Sequence, residues 1–303
     1  MSRKIKKANI GGQALFEGVL MKGPYETAIA VRKPDGSIEA KIVERTEIAK
    51  SYKIFKYPFF RGIAALYDAI KNGNRAIDYS ASFYEEKEKE GKSENRKKIE
   101  EFFWSVFSVI IFIGFIFLFF FVPTWISNLF RENIKSIFIL NIIEGFIRVL
   151  LFLGYVFVIS QQKDIKRVFK YHGAEHKAIA CYENGEELTV ENVKKYSRLH
   201  PRCGTSLIFN MVIISAILLS FLGWPNPIIR FLTRLLIIPV LVGLTFELNK
   251  WMGGSDNIIS KIMAKPGILV QKMGTVKEPS DDMIEVAIES IKLVIPEGRD
   301  QNE

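Results

Sequence analysis

FFWSVFSVIIFIGFIFLFFFV, residues 102 to 122, carries no charged side chain and is built almost wholly of Phe, Ile, Val and Leu. At about 1.5 Å per residue, a helix of this length matches the roughly 30 Å hydrocarbon core of a bilayer. In a chain of 303 residues that is 49% hydrophobic, such a run favours a polar module on a membrane bundle over one large soluble domain. Ile137 to Ser160 is a second span, broken only by Asn141, Glu144 and Arg148. Leu207 to Leu222 and Pro227 to Phe246 form a third and a fourth, joined by Gly223-Trp224-Pro225-Asn226, whose Trp and prolines suit an interfacial turn. The third is short, so the last pair reads as two spans or as a re-entrant hairpin; four spans are expected.

Orientation follows from the basic residues. Residues 1–101 hold 21 Lys and Arg, residues 161–206 hold nine and 247–303 hold seven, against two in 123–136 and none in 223–226. The positive-inside bias then places both termini and the central loop in the cytoplasm, as in a multi-pass protein of the inner (cytoplasmic) membrane. No run near Met1 has the order of a cleaved leader, and the first span begins only after a hundred polar and mixed residues, so no secretory leader is expected. The net charge of +9 suits anionic membrane lipid as a partner. No helix-turn-helix, zinc-finger or RNP-type pattern occurs, so nucleic acid is not an expected partner.

The expected fold class is α+β, an integral membrane helical bundle of four transmembrane helices with a small cytoplasmic module containing a β-hairpin. Its parts run as an N-terminal module (1–84), a charged linker (85–101), a first transmembrane pair (102–160), a cytoplasmic His/Cys loop (161–206), a second pair (207–246) and a C-terminal cytoplasmic segment (247–303). Residues 1–7 are a basic tail. Gly11 to Pro24 holds four glycines without the spacing of a phosphate or dinucleotide loop. By spacing it is a tight loop; a functional reading brings Glu17 to a ligand or metal. Thr27–Lys33 and Ser37–Glu44 alternate around Pro34-Asp35-Gly36 as a β-hairpin. Residues 52–84 read either as an amphipathic helix in the interface or as a helix packed on the hairpin. Residues 85–101, with Gly91 and Ser93, read as a solvated helix or linker.

Glu144 and Arg148 sit one helical turn apart at membrane depth, and Arg230 and Arg234 repeat that spacing. Charges there need partners or a polar cavity, so structural pairing and a functional site both stand. Glu247 reads as a ligand, a partner of an arginine or a surface carboxylate. Beyond Trp251, Gly253 to Asp256 is an expected turn, 257–264 a short helix, and 265–272 a loop with an apolar segment. A helix capped by Ser280 then buries Met283, Ile284, Ala287, Ile288 and Ile291.

All three histidines and both cysteines fall between residues 171 and 203. On a helix over 165–182, His172 and His176 lie one turn apart and about 40° around the axis, so both imidazoles reach one cation. Glu175 shares that face as ligand, base for a metal-bound water or supporting acceptor. His-x-x-Glu-His is the order of the inverzincin peptidases, weak by itself because five residues with three fixed recur by chance. His200 and Cys203 strengthen it, completing four donors of the kind that suit zinc. Cys181 points elsewhere as a small buried residue, and a disulfide to Cys203 is not expected in the reducing cytoplasm.

The segments GGQALFEGVLMKGP (11–24), YHGAEHK (171–177), HPRCGTS (200–206), PGILVQKMGT (266–275) and EPSDDMIEVAI (278–288) resemble the bacterial YqhQ-like family across nearly the whole chain. That family is described as uncharacterised membrane proteins and predicted metal-dependent enzymes. The resemblance implies a membrane location and a metal site, maps its motif onto Glu17, His172, Glu175, His176, His200, Arg202, Cys203 and Glu247, and implies that Gly11-Gly12-Gln13 is an active-site loop. The expectation is a membrane-embedded hydrolase using a metal-activated water at the cytoplasmic face. His172, His176 and His200 would hold a divalent metal, zinc, with Cys203 as fourth ligand or neighbour and Glu175 or Glu17 as the activating group. Its substrate would be a peptide, a lipid or a small metabolite. The alternatives are a membrane scaffold or assembly factor with a structural metal site, and a carrier built on Glu144, Arg148, Arg230 and Arg234.

Overall fold

The computed structural model describes residues 10–89, 94–223, 226–255 and 257–296. The basic tail 1–7, Gly91 and Ser93 of the expected linker, Trp224-Pro225 of the short connection and Asp256 lie outside the described residues. The chain is mostly helical with one small antiparallel sheet.

The sheet is a four-stranded meander of β1 (Gly11–Leu15), β2 (Gly18–Lys22), β3 (Thr27–Arg32) and β4 (Ile38–Ile42). The expected hairpin is β3–β4; Gly36 takes φ +87° in its turn, where Ser37 donates to Asp35 Oδ1 from both its backbone nitrogen and its hydroxyl. The stretch expected as a glycine loop is instead a second hairpin, β1–β2, closed by Phe16 and Glu17. Two of its glycines sit where neighbours crowd. A Cβ on Gly12 would lie 2.7 Å from the Leu20 carbonyl oxygen, and one on Gly18 would lie 2.6 Å from that of Ala30.

Alternation then divides the sheet between two cores. Val19, Met21, Ala28 and Ala30 face one side, and Leu15, Leu20, Ile29 and Val31 face the other. After a short helix α1 (Ile48–Ser51) and a 3-10 turn (Lys53–Lys56), the long α2 (Phe60–Lys89) covers the second side with Ala76, Tyr79 and Phe83. The helix expected within 52–84 is thus packed on the sheet, with Leu66, Tyr67, Ile70 and Ile77 left exposed.

Helix α3 (Glu94–Ile116) passes through a π turn (Phe117–Phe121) into α4 (Val122–Asn128). Pro123 has no N–H for the carbonyl four residues earlier, that of Phe119. Arg148 Nε donates to this oxygen at 3.2 Å, supplying the missing donor from a neighbouring helix. That helix is α5 (Ile137–Ile159); α6 (Lys163–Glu183) and α7 (Val190–Lys194) follow, then α8 (Gly204–Ser220) and α9 (Pro227–Gly254). The last helices are α10 (Ile258–Val270), continued by a π turn (Gln271–Thr275), and α11 (Asp281–Lys292).

Three helical stretches are long and apolar enough to cross a membrane: Phe102–Asn128, Ile137–Ile159 and Ile229–Met252. The expected third span, 207–222, corresponds to α8, whose apolar part, Ser206–Ser220, is shorter than the bilayer core requires. It is held as a packed helix: Gly145 of α5 lets Ala216 approach to a distance that admits no Cβ, and Asn141 Nδ2 donates to the Leu222 carbonyl at 2.8 Å. Glu144 pairs with Arg148 at 2.8 Å and with Arg234 at 2.5 Å. Glu247 pairs with Arg61, not with one of the arginines of the spans, and accepts from the Phe59 backbone at 3.1 Å, so it fastens the start of α2 to α9.

The expected loop at 265–272 is helical, because α10 runs through Pro266 and buries Gly267 against Ser206. The expected C-terminal helix is α11, with all five named apolar residues buried against the sheet and α6. Ser280 stands at its N-cap without a side-chain cap bond, and only its carbonyl accepts from Met283 and Ile284.

Candidate metal centre

The stripe Tyr171, Ala174, Ala178 and Cys181 recurs at helical spacing and seats α6 in the core shared with the sheet and α11. Seating that stripe turns His172, Glu175 and His176 onto the adjoining face. The two imidazole centroids are 4.4 Å apart. Each ring's Nδ1 lies against a backbone carbonyl: His172 at 2.9 Å from Thr275, His176 at 2.6 Å from Arg198. A carbonyl only accepts, so both Nδ1 atoms carry the proton and both Nε2 atoms keep a lone pair. Metal-binding histidines are oriented in this way by a partner at the other nitrogen. Cys203 Sγ is 3.2 Å from His172 Nε2, and the ligand atoms of His172, His176 and Cys203 all lie within 4.8 Å of one another. Burial holds the His176 imidazole below its ordinary pKa, which keeps its lone pair available.

Glu175 is 4% exposed, and its Oε2 has no hydrogen-bond partner while lying 3.9 Å from His172 Nε2. Burial raises its pKa, against the opposing influence of His172, His200 and the Gly12 backbone N–H. Gly12 is needed there, because a Cβ would stand 2.9 Å from both Cγ and Cδ of Glu175.

The other expected site residues are placed differently. His200 stacks beside His176 at 5.5 Å between centroids, yet its Nε2 faces Glu183 at 3.7 Å and its Nδ1 accepts from the Arg202 backbone at 3.4 Å. Its ring therefore stands outside the three converging donors. Burial alone would raise the Glu183 carboxyl, but hydrogen bonds from His200 and Arg202 outweigh it and hold the pKa down. Glu17 takes φ +52° in the β1–β2 turn, and its carboxylate is gripped by Arg167 and by Tyr171 Oη at 3.1 Å. It fixes α6 one turn before the histidines rather than joining them. Cys181 is buried in the core, where burial pushes its thiol up to about 11. Among the described residues neither cysteine is in a disulfide.

The supporting shell is what the motif reading missed. Gln271, fully buried, accepts from the His200 backbone N–H at 3.0 Å and donates to its carbonyl at 2.9 Å, clamping the turn that carries Cys203. Gln271 and Thr275 both belong to the 266–275 segment, whose resemblance was the available signal. The donor set, two lone-pair Nε2 atoms, a thiol and an unbonded buried carboxylate oxygen, fits a borderline-soft divalent ion of the zinc type.

The family described as "Protein of unknown function (DUF1385)" matches residues 57–297. The "Uncharacterized protein YqhQ" of Bacillus subtilis (strain 168) is 37% identical over 291 residues, covering 92% of this chain and 90% of that protein. No solved structure matches.

Proposed function

The chain belongs to the DUF1385 family, and from that premise we propose a metal-dependent hydrolase of the cytoplasmic membrane with its reacting centre at His172, His176 and Cys203. The observation that carries this reading is Glu175 Oε2, buried, unbonded and 3.9 Å from His172 Nε2. Leaving a buried carboxylate oxygen without a partner is costly. Aimed at a cation and its water, that oxygen has both a partner and a task. His172 and His176 would hold the ion through Nε2 and Cys203 as thiolate. Zinc, when bound, lowers the pKa of a coordinated water toward neutrality. Glu175 would take a proton at Oε2 and return it to the leaving group, its side chain held in place by close packing on Gly12.

The Lys and Arg distribution supports both termini and this centre on the cytoplasmic side, which with three long apolar helices in the bilayer requires the short α8 to carry the chain across beside them. A substrate presented at that interface fits the position.

The second reading makes Glu175 the fourth ligand of a closed structural site, favoured by the same 3.9 Å approach, and the protein a scaffold. Cobalt substitution of the full chain in detergent separates the two. An open position answers an added hydroxamate with a shift of the ligand-field bands; a closed site leaves the spectrum unchanged, and the hydrolase reading then fails.

A further inference from the structure

The turn Tyr52-Lys53-Ile54-Phe55-Lys56-Tyr57 leaves apolar side chains in the open: Tyr52, Ile54 and Tyr57 are each at least half exposed. Behind it, Phe60, Tyr67, Ile70 and Ile77 recur at helical spacing on one face of α2 and are exposed as well. So much exposed aromatic and aliphatic surface on one segment marks a face that is covered in the working protein. Its charge has one sign. Between Glu47 and Asp68 the sequence has no acidic residue, but Lys50, Lys53, Lys56 and Arg61. Arg61 is taken by Glu247, whereas Lys53 and Lys56 are exposed and pair with no carboxylate among the described residues.

The turn is fixed to a membrane helix. Phe59, which follows it, takes φ +73°, a left-handed backbone that bulky residues rarely adopt. Two contacts with α9 hold it there: its N–H donates to Glu247 at 3.1 Å, and its ring fills the space beside Gly243, where no Cβ would fit. Gly62 packs on the same helix, a Cβ there falling 2.7 Å from that of Phe246. From Leu235 to Phe246 α9 carries no charged side chain, and Glu247 and Lys250 follow. The turn is therefore fastened where an apolar span gives way to charge, the level at which aromatic and basic side chains meet lipid headgroups.

We propose that residues 52–57 and the exposed face of α2 lie on an anionic lipid surface, Tyr52, Ile54 and Tyr57 entering its edge and Lys53 and Lys56 meeting its phosphates. Continuity with α9 favours lipid as the occupant. A second copy would bring like charges face to face. Since α2 covers the sheet that carries Gly12, this contact seats the polar module against the bilayer. The surface rests on the membrane reading and is independent of the metal centre.

Spin labels on the full chain in lipid nanodiscs test this. Tyr57→Cys probes the turn, and Phe112→Cys, exposed within the first long apolar stretch, is the lipid reference. Glu191→Cys is the water reference, exposed on α7, which α11 and the sheet separate from α2. The parent, whose two cysteines are buried, gives the background. Each label is read by its collisions with oxygen, which concentrates in lipid, and with a neutral nickel chelate, which stays in water. In dioleoyl phosphatidylglycerol the oxygen-to-nickel ratio at Tyr57 is expected to exceed that at Glu191 severalfold. Dioleoyl phosphatidylcholine, or Lys53→Glu with Lys56→Glu, should lower it. A Tyr57 ratio equal to that at Glu191, with Phe112 lipid-like, overturns the contact and leaves the spans standing. Water-like ratios at Phe112 overturn the membrane reading itself. A ratio unchanged by both the neutral lipid and the charge reversal overturns the anionic assignment. Few collisions with either agent at Tyr57 would place a protein over the turn and overturn lipid as the occupant.

Discussion

Gly12 of the first strand packs against Glu175 of α6, its missing side chain leaving the room that Cγ and Cδ occupy, each 2.9 Å from where a Cβ would stand. The strand and the helix are 163 residues apart in the chain, and this contact makes the glycine pair part of the centre. Gly12→Ala is expected to destabilise the protein by about 1–3 kcal/mol through overpacking and to displace Glu175. Gly11→Ala, where a Cβ meets nothing within 4 Å, is the control and should melt like the parent. Equal thermal midpoints for the two variants would contradict the contact.

Zinc content should discriminate among the histidines. His176→Ala and Cys203→Ser are expected to lose most of the bound metal, whereas His200→Ala should keep most of it, because the His200 ring faces Glu183. Elemental analysis of the purified chains gives the answer directly. A His200→Ala protein as empty as His176→Ala would place His200 among the ligands.

Glu175 should leave a pH signature in chelator-treated protein. Its folded pKa is raised above the ordinary 4.5 by burial, so its charge opposes folding. That opposition is absent below the unfolded pKa, grows as pH rises, and is complete above the folded pKa. Glu175→Gln, which cannot ionise, should therefore be more stable than the parent near neutrality, with the difference vanishing toward pH 4. Thermal melts across that range measure it, and a constant difference would mean that ionisation is not involved.

Inside the bundle, Glu144 answers two arginines, so Glu144→Gln strands both guanidiniums and is expected to cost about 3–5 kcal/mol. Arg148→Met leaves Glu144 with Arg234 but takes the donor from the Phe119 carbonyl, for about 1–3 kcal/mol. Tryptophan fluorescence melts in detergent rank the two. The reverse order would show that the carbonyl, and not the carboxylate, dominates.

Much of this was legible in local pattern. The apolar runs at 102, 137 and 227 declare their helices because length and composition are enough, and the alternation around Pro34-Asp35-Gly36 declares β3 and β4. His172 and His176 converge because one helical turn separates them, wherever the helix lies. Other features depend on what the chain meets. Glycines at 11, 12 and 18 erase the alternation of β1 and β2, and for Gly12 and Gly18 the reason includes crowding from Glu175 and Ala30, which lie outside the segment. His200 looked equivalent to the other two histidines until Glu183, 17 residues earlier, took its Nε2. Glu17 looked like a water-activating group until Arg167 and Tyr171 closed on it. The shortness of α8 could be counted in residues; its use as a packed helix required Gly145 and Asn141.

The carbonyl of Thr275 that orients His172 arrives late in synthesis. A ribosome that has delivered Gly12, the two histidines and Cys203 has made every ligand, and still lacks the acceptor that fixes one imidazole and the Gln271 clamp on the turn. A product truncated before residue 271 would carry all three donors, with His176 still held by the Arg198 carbonyl but with neither the Thr275 carbonyl on His172 nor the Gln271 clamp on the turn of Cys203, so under the proposed reading a metal would be taken up only once the C-terminal segment has been made.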